Sequence, residues 1–308
     1  MLKEIHLAHT QGFCAGVFSA IEIVSLALEK YATPLYVRHQ IVHNTWVIQD
    51  FEKRGVIFIE DLEEVPFGAT VVFSAHGSPP QVFEEAKKRH LRYIDATCPL
   101  VSKIHRQAAR YSDRQIPTVL IGHRGHQEMM GTSGYVNPEL LYIVETEEDV
   151  ESLNLDPFFD VAFITQTTLS AHDTNHIVDR LRKRFPKLIE RTKDDICYAT
   201  QNRQDAVVEL TRQCDIIIIC GSPNSSNSNR LRETAENQGK IAYLIDTPEE
   251  LRMEWLNDKE KVGISSGASV PRVVVDHVVK RIQKVYPEAQ VFEGQSIEKG
   301  IYFPLPKI

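Results

Sequence analysis

The chain has 308 residues, of which 25% are charged and 42% are hydrophobic, and its formal net charge is −7. These values are typical of globular proteins and exclude the disordered and fibrous classes. The negative charge, with no cluster of Lys and Arg, argues against a nucleic-acid-binding surface, and the length suits two or three domains.

Short apolar runs alternate with helix-length periodic segments along the whole sequence. Strands are predicted at residues 5–8, 35–37, 71–74, 118–122, 141–144, 161–165, 216–220, 241–245 and 262–265. Helices are predicted at residues 17–30, 79–90, 173–185, 204–213 and 270–285. This alternation is typical of parallel sheets covered by helices, so the predicted fold class is α/β.

The sequence contains no segment that predicts a membrane span. The longest aliphatic run covers only residues 216–219, and the first residues, MLKEIHLAHTQ, lack the apolar core of a signal peptide. We therefore expect a cytoplasmic protein that does not bind membranes. Five cysteines, an odd number without an export signal, then suggest reduced thiols or metal ligands rather than disulfides.

Three of the cysteines precede helical patterns: Cys14 in GFCAG, Cys98 in DATCPLV and Cys197 in DDICYAT. A helix N-terminus presents N–H groups and partial positive charge, which favour the thiolate that binds metals. Three such thiolates converging on one point would form a metal site with one open position; the alternative is that each is a structural thiol. Cys214 and Cys220 flank an aliphatic run and are predicted to be core residues.

The same three cysteines divide the predicted elements into thirds of similar order. We therefore expect three small α/β domains with threefold structural repetition. The predicted boundaries are 1–97, which includes the N-terminal strand, 98–196 and 197–308.

Polar loops follow several predicted strands, where ligands bind in parallel sheets. The segment GSPNSSNSNR leads into a helix, so Ser225, Ser226 and Asn227 form a candidate phosphate cradle; the alternative is that they only cap the helix. Ser269, in SSGAS before the last long helix, gives a weaker signal of the same kind.

Ionisable side chains lie in three loops. His43, His76 and His126 could each donate a hydrogen bond to an anion, although a capping or surface role is the alternative for each. Glu128 lies close to His126 and could carry protons, the alternative being a solvated charge.

The chain contains, in order, the strings GFCAGV, YVRHQIVHN, FSAHG, DATCPLV, IGHRGHQE, TQTTLS, DDICYATQNRQ, SSNSNRL and SSGAS. Together these strings resemble the LytB family, the 4-hydroxy-3-methylbut-2-enyl diphosphate reductases. The resemblance extends over residues 4–285.

This resemblance implies three small parallel-sheet α/β domains in a pseudo-threefold trefoil around a central [4Fe-4S] cluster. Cys14, Cys98 and Cys197 would hold the cluster, leaving one open iron without a protein ligand. The implied catalytic residues are Glu128, His126 and Thr167, with Thr167 hydrogen-bonded to the substrate hydroxyl. The implied diphosphate-binding residues are His43, His76, His126, Ser225, Ser226, Asn227 and Ser269.

The implied reaction is the two-electron reductive dehydroxylation of 4-hydroxy-3-methylbut-2-enyl diphosphate to isopentenyl and dimethylallyl diphosphates. It is the last step of the methylerythritol phosphate route to isoprenoids. The implied electron donor is a ferredoxin or a flavodoxin-type protein, and we expect a monomer or homodimer whose final segment, 288–308, closes over the centre.

Some residues depart from the family pattern. Residues 9–11 read His-Thr-Gln where family members usually have Asn-Pro-Arg, Ser78 replaces Val, and Pro223 replaces a polar residue. A divergent paralogue with another substrate is therefore one alternative. The others are a non-redox phosphometabolite-binding α/β protein with structural cysteines, and a zinc site with three cysteine ligands.

Overall fold

The computed structural model describes residues 1–31, 33–190 and 195–306. Strand β1 (Glu4–Leu7) and helix α1 (Ala15–Lys30) open the chain. The described residues form three sheets, and every strand pair in them is parallel. The predicted α/β class with three parallel sheets is therefore confirmed.

The first sheet has the strand order β3-β2-β4-β5. Its strands are β2 (Leu35–Arg38), β3 (Val56–Ile59), β4 (Thr70–Phe73) and β5 (Arg92–Asp95). In the chain, helix α2 (Thr45–Lys53) lies between β2 and β3, and helix α3 (Pro80–Lys88) lies between β4 and β5. β4 is buried along its whole length, as a strand covered on both faces must be.

The second sheet repeats this arrangement with the strand order β7-β6-β8-β9. Its elements are α4 (Pro99–Asp113), β6 (Thr118–Ile121), α5 (Gln127–Ser133), β7 (Leu141–Val144), α6 (Glu147–Glu151), β8 (Val161–Thr165), α7 (Ala171–Arg184) and β9 (Leu188–Ile189).

The third sheet has the order β11-β10-β12-β1-β13. Its further elements are α8 (Tyr198–Gln213), β10 (Ile216–Cys220), α9 (Ser226–Asn237), β11 (Ile241–Ile245), β12 (Lys261–Ser266), α10 (Arg272–Val285) and β13 (Gln290–Glu293). The order of the sequence places the N-terminal strand in the predicted first domain, residues 1–97. In the structure β1 pairs with β12 and β13 instead.

All three sheets share one plan apart from the inserted β1. In each sheet the first strand in chain order lies between the second and the third strands. The chain therefore passes from the first strand to its neighbour on one side, and then crosses to the position on the other side of the first strand. This reversal creates a topological switch point between the first and third strands, where α/β proteins bind ligands.

Two cysteines belong to the core of the third sheet, as predicted. Cys214 and Cys220 are 1% and 0% exposed, and β10, which ends at Cys220, is buried throughout. Burial raises the pKa of both thiols to about 12. These thiols are therefore chemically inert near neutral pH.

The chain forms two compact units, here called unit 1 and unit 2. Unit 1 contains residues 1–18, 42–53 and 198–302, and unit 2 contains residues 19–41, 54–197 and 303–308. The domain boundaries predicted at the cysteines stay a prediction. Positions 32, 191–194, 307 and 308 of those predicted domains lie outside the described residues.

In the part of the chain that the structure describes, no helix is both long enough and apolar enough to span a bilayer.

Candidate functional site

The predicted site residues follow the strands on either side of the three switch points. In chain order they follow β2 (His43), β4 (His76), β6 (His126 and Glu128), β8 (Thr167), β10 (Ser225, Ser226 and Asn227) and β12 (Ser269). Because loops at these strand ends are not constrained by the sheet, they can carry polar side chains without disturbing its core.

In unit 2, Glu128 and Thr167 form a buried hydrogen-bonded pair. The backbone N–H and the hydroxyl of Thr167 donate to the two carboxyl oxygens of Glu128 at 2.7 and 2.9 Å. Glu128 is only 3% exposed, and this burial raises its pKa to about 7, although the bonds from Thr167 act to lower it. The carboxyl group can therefore donate or accept a proton near neutral pH.

His126 caps the helix that carries Glu128. Its Nδ1 accepts a hydrogen bond from the backbone N–H of Glu128 at 3.2 Å, so a neutral His126 ring carries its proton on Nε2. The His76 ring lies edge-on to the His126 ring, with centroids 6.0 Å apart. The structure thus brings His76, His126, Glu128 and Thr167 into one connected cluster.

Two glycines allow the His76 loop to pack against α5. Gly77 has a φ of +85°, and a Cβ there would lie 2.9 Å from Nε2 of the buried His105 ring. A Cβ at Gly131 would lie 3.0 Å from the carbonyl oxygen of Gly77. Because burial lowers the pKa of His105 to about 4, this ring is a neutral packing group. A larger side chain at either glycine would push His76 away from the helix that carries Glu128.

The two predicted cysteine ligands of unit 2 contact this cluster through backbone hydrogen bonds. The N–H of Cys98 donates to the carbonyl of Ala75, next to His76, at 3.0 Å, and the N–H of Cys197 donates to the carbonyl of Thr167 at 3.1 Å. Cys98 is the N-cap residue of α4, and Cys197 immediately precedes α8, as the sequence predicts.

In unit 1, Cys14 immediately precedes α1 and is joined to the β12 loop. Its N–H donates to the carbonyl of Ala268 at 3.2 Å, and its Sγ accepts from the N–H of Val17 at 3.5 Å. The hydroxyl of Ser269, the next residue of that loop, donates to the carbonyl of His43 at 2.8 Å. Cys14, Ser269 and His43 therefore lie in one chain of contacts.

The predicted phosphate cradle opens α9 in the same unit. Ser225 is the N-cap residue, and its hydroxyl accepts hydrogen bonds from Ser228. Asn227 is 6% exposed, and both polar atoms of its amide lack a hydrogen-bond partner among the described residues. A buried amide without partners is costly unless a ligand or water satisfies it, which favours anion binding over capping alone.

A half-buried hydrogen-bond network begins at Thr45, two residues after His43, and no sequence pattern indicates it. The N–H of Thr45 donates to the hydroxyl of Ser222 at 3.1 Å, and the hydroxyl of Thr45 donates to Asp246 at 2.5 Å. The hydroxyl of Ser222 also donates to Asp246. Asp246 directly follows β11, a strand end that the sequence analysis left without a role.

The five cysteines form no disulfide. Cys14, Cys98 and Cys197 are half-buried, in contrast to the two core cysteines. Within the described ranges, no three His, Cys, Asp or Glu side chains are grouped so that they could hold a metal ion. The donors themselves are thiols at helix N-termini, and this chemistry fits an iron-sulfur cluster.

Three parallel sheets with polar loops at their switch points define an α/β protein of the class that binds small ligands at these strand ends. Residues 5–283 match the model of the LytB protein family, and the chain belongs to that family.

Curated relatives match over almost the full chain. A protein of Chromohalobacter salexigens named 4-hydroxy-3-methylbut-2-enyl diphosphate reductase is 50% identical over 308 residues, which cover 99% of this chain and 96% of the relative. A protein of the same name from Aliivibrio salmonicida is 50% identical over 306 residues, which cover 99% of this chain and 97% of the relative.

A solved structure is also similar. The E-1-hydroxy-2-methyl-but-2-enyl-4-diphosphate reductase of Plasmodium falciparum has a TM-score of 0.92 and 37% identity, covering 100% of this chain and 95% of that chain. These comparisons confirm the family resemblance.

Proposed function

We propose that the protein reduces 4-hydroxy-3-methylbut-2-enyl diphosphate to isopentenyl and dimethylallyl diphosphates, the last step of the methylerythritol phosphate route. The allylic C–O bond breaks, two electrons and two protons are consumed, and the hydroxyl group leaves as water. Full-length relatives that carry this enzyme name support the proposal.

The observation that carries the proposal is the Glu128 and Thr167 pair. Thr167 donates its hydroxyl hydrogen to Glu128, so its oxygen lone pairs can accept the hydrogen of the substrate hydroxyl. Glu128, with a pKa of about 7, then supplies a proton as the C–O bond breaks. His126 helps to hold this geometry, because its ring caps the helix at the N–H of Glu128.

Cys14, Cys98 and Cys197 would hold a [4Fe-4S] cluster with one open iron. When bound, the cluster supplies the electrons and a Lewis acid for the departing hydroxyl group. The electrons come from a ferredoxin or a flavodoxin-type donor. The expectation of a monomer or homodimer stays a prediction.

Several uncharged or weakly basic side chains would hold the diphosphate. The amide of Asn227 is the strongest candidate, because it is buried without a partner among the described residues. The complete proposed set is His43, His76, His126, Ser225, Ser226, Asn227 and Ser269.

The direct test is anaerobic oxidation of a reduced viologen dye by cluster-loaded protein on addition of 4-hydroxy-3-methylbut-2-enyl diphosphate. We expect substrate-dependent oxidation with recovery of both isoprenoid diphosphates. Cluster-loaded protein that leaves the dye reduced would contradict the proposal and favour a paralogue with another substrate.

Cys197→Ser should lose both the cluster and the activity, whereas Cys214→Ser, a change in the inert core, should retain both. A colourless wild-type protein that still binds the diphosphate would instead support the non-redox alternative. Stoichiometric zinc without sulfide would support the zinc alternative.

A further inference from the structure

Arg203 of α8 is completely buried, with no exposed side-chain surface. Its Nη1 donates to both carboxyl oxygens of Glu298, at 3.0 and 3.1 Å, and to the carbonyl of Ala199 at 2.9 Å. Its Nη2 donates to the carbonyl of Gly12 at 2.7 Å. One guanidinium group thus joins three separate segments of unit 1.

Stability alone does not account for this arrangement. Burying an ion pair costs desolvation energy that its own attraction seldom repays, and an apolar replacement is often as stable. In addition, the Nε–H of Arg203 has no hydrogen-bond partner among the described residues, which adds to the cost. The contacts of Arg203 therefore suggest a role in holding specific groups in place.

The first group that Arg203 holds is the loop before Cys14. Gly12 has a φ of +78°, which turns its peptide groups toward two different partners. Its N–H donates to the hydroxyl of Ser266 at 2.8 Å, while its carbonyl accepts from Arg203. With the bond from the N–H of Cys14 to Ala268, these contacts fix the backbone on both sides of Phe13.

The second group is the segment that follows β13. Glu298 accepts hydrogen bonds from Arg203 and also from the side chain of Asn202 at 3.1 Å. Glu298, Lys299 and Tyr302 line a cavity of about 300 Å³, and Cys14 lines the same cavity. The segment thus borders the space next to the Cys14 thiol.

We propose that Arg203 is a positioning residue that ties the Cys14 loop to the 296–302 segment, and that its ion pair with Glu298 controls access to the Cys14 thiol. The functional importance of access to Cys14 rests on the proposed function, in which Cys14 is a cluster ligand. Breaking the pair frees the segment, which then no longer shields Cys14.

The test compares two variants of the same C-terminal region. Glu298→Gln breaks the buried pair, and Glu293→Gln, the matched control, breaks the exposed ion pair of Glu293 with Arg272. Iodoacetamide labels the full-length protein after a chelator has removed its iron, and peptide mass mapping gives the rate at each cysteine. Cys214 and Cys220 serve as internal reporters of general unfolding, because both are buried.

In Glu298→Gln, Cys14 should react more than about tenfold faster than in wild type, while Cys214 and Cys220 stay unreactive. Glu293→Gln should behave like wild type. An unchanged rate at Cys14 in Glu298→Gln would overturn the proposal.

Faster labelling of Cys214 and Cys220 as well would mean that Glu298→Gln has loosened the whole unit. The milder Arg203→Lys then decides, because an ammonium group keeps the charge but cannot bond Glu298 and Gly12 in the same forked geometry. Selective exposure of Cys14 in that variant supports the proposal, and its absence overturns it. The labelling needs no turnover, so its failure would leave the proposed reductase activity untouched.

Discussion

The second and third sheets share a plan but carry different chemistry at the same strand ends. Beside the switch point of the second sheet lie Glu128 and Thr167, a buried acid and its hydrogen-bond donor. Beside the switch point of the third sheet lie Asn227 and Ser269, which are buried but uncharged. One topology therefore places a buried carboxyl group in unit 2 and buried uncharged hydrogen-bonding groups in unit 1.

The difference follows from the partners of each buried group. Burial shifts the pKa of a carboxyl group toward neutrality, and burial is the largest cause of the raised pKa of Glu128. Amide and hydroxyl groups do not titrate, so Asn227 and Ser269 can hold an anion at any pH near neutral. We therefore expect changes at Glu128 to affect turnover, and changes at Asn227 to affect substrate binding.

Glu128→Gln should have the largest effect. The amide keeps the size of the carboxyl group but cannot supply a proton, so kcat should fall by about 10² to 10⁴ while KM changes little. The viologen assay measures both constants. Glu139→Gln, an exposed carboxylate in the same unit, is the control and should leave both unchanged. Near-normal turnover in Glu128→Gln would remove the proposed proton role.

Asn227→Ala should have a smaller and different effect. Loss of hydrogen bonds to a charged group costs about 1.5 to 3 kcal/mol, so KM should rise at least about tenfold while kcat stays within about threefold. The matched control is Asn237→Ala at the exposed end of the same helix. If Asn227→Ala lowered kcat and left KM unchanged, the assignment of substrate binding to Asn227 would be wrong.

The pH dependence of turnover should show the smallest effect. The protonated form of Glu128 is the proton donor, so kcat should fall as the pH rises through its pKa of about 7. The hydroxyl of Thr167 lowers this pKa by bonding to the carboxylate, so Thr167→Val should raise it and move the decline to higher pH. A profile that does not move between the two proteins would show that another group limits the rate.

The sequence predicts the positions of the site loops well, because apolar strands and the polar residues after them are local signals. All nine predicted strands appear in the structure, and the loop after β12 carries Ser269 as expected. Four strands, β3, β5, β9 and β13, were not predicted. Of these, β5 and β13 are largely exposed and β9 has only two residues, whereas β3 is a short apolar run like the predicted strands.

Long-range pairing could not be predicted in the same way. Nothing local indicates that β1 inserts between β12 and β13, or that Arg203 bonds Glu298, 95 residues away. An arginine within an amphipathic helix is usually exposed, so no local pattern indicates that this one is completely buried. Such contacts depend on the tertiary fold and on charge pairing that the local pattern does not encode.

The separate roles proposed for Glu128 in proton transfer and for Asn227 in diphosphate binding are tested most directly by the affinity of the protein for inorganic pyrophosphate, measured by calorimetry without turnover. Our account predicts that Glu128→Gln binds pyrophosphate with the same affinity as wild type, and that Asn227→Ala binds it at least about tenfold more weakly. Equal affinity in all three proteins, or a loss confined to Glu128→Gln, would contradict the account.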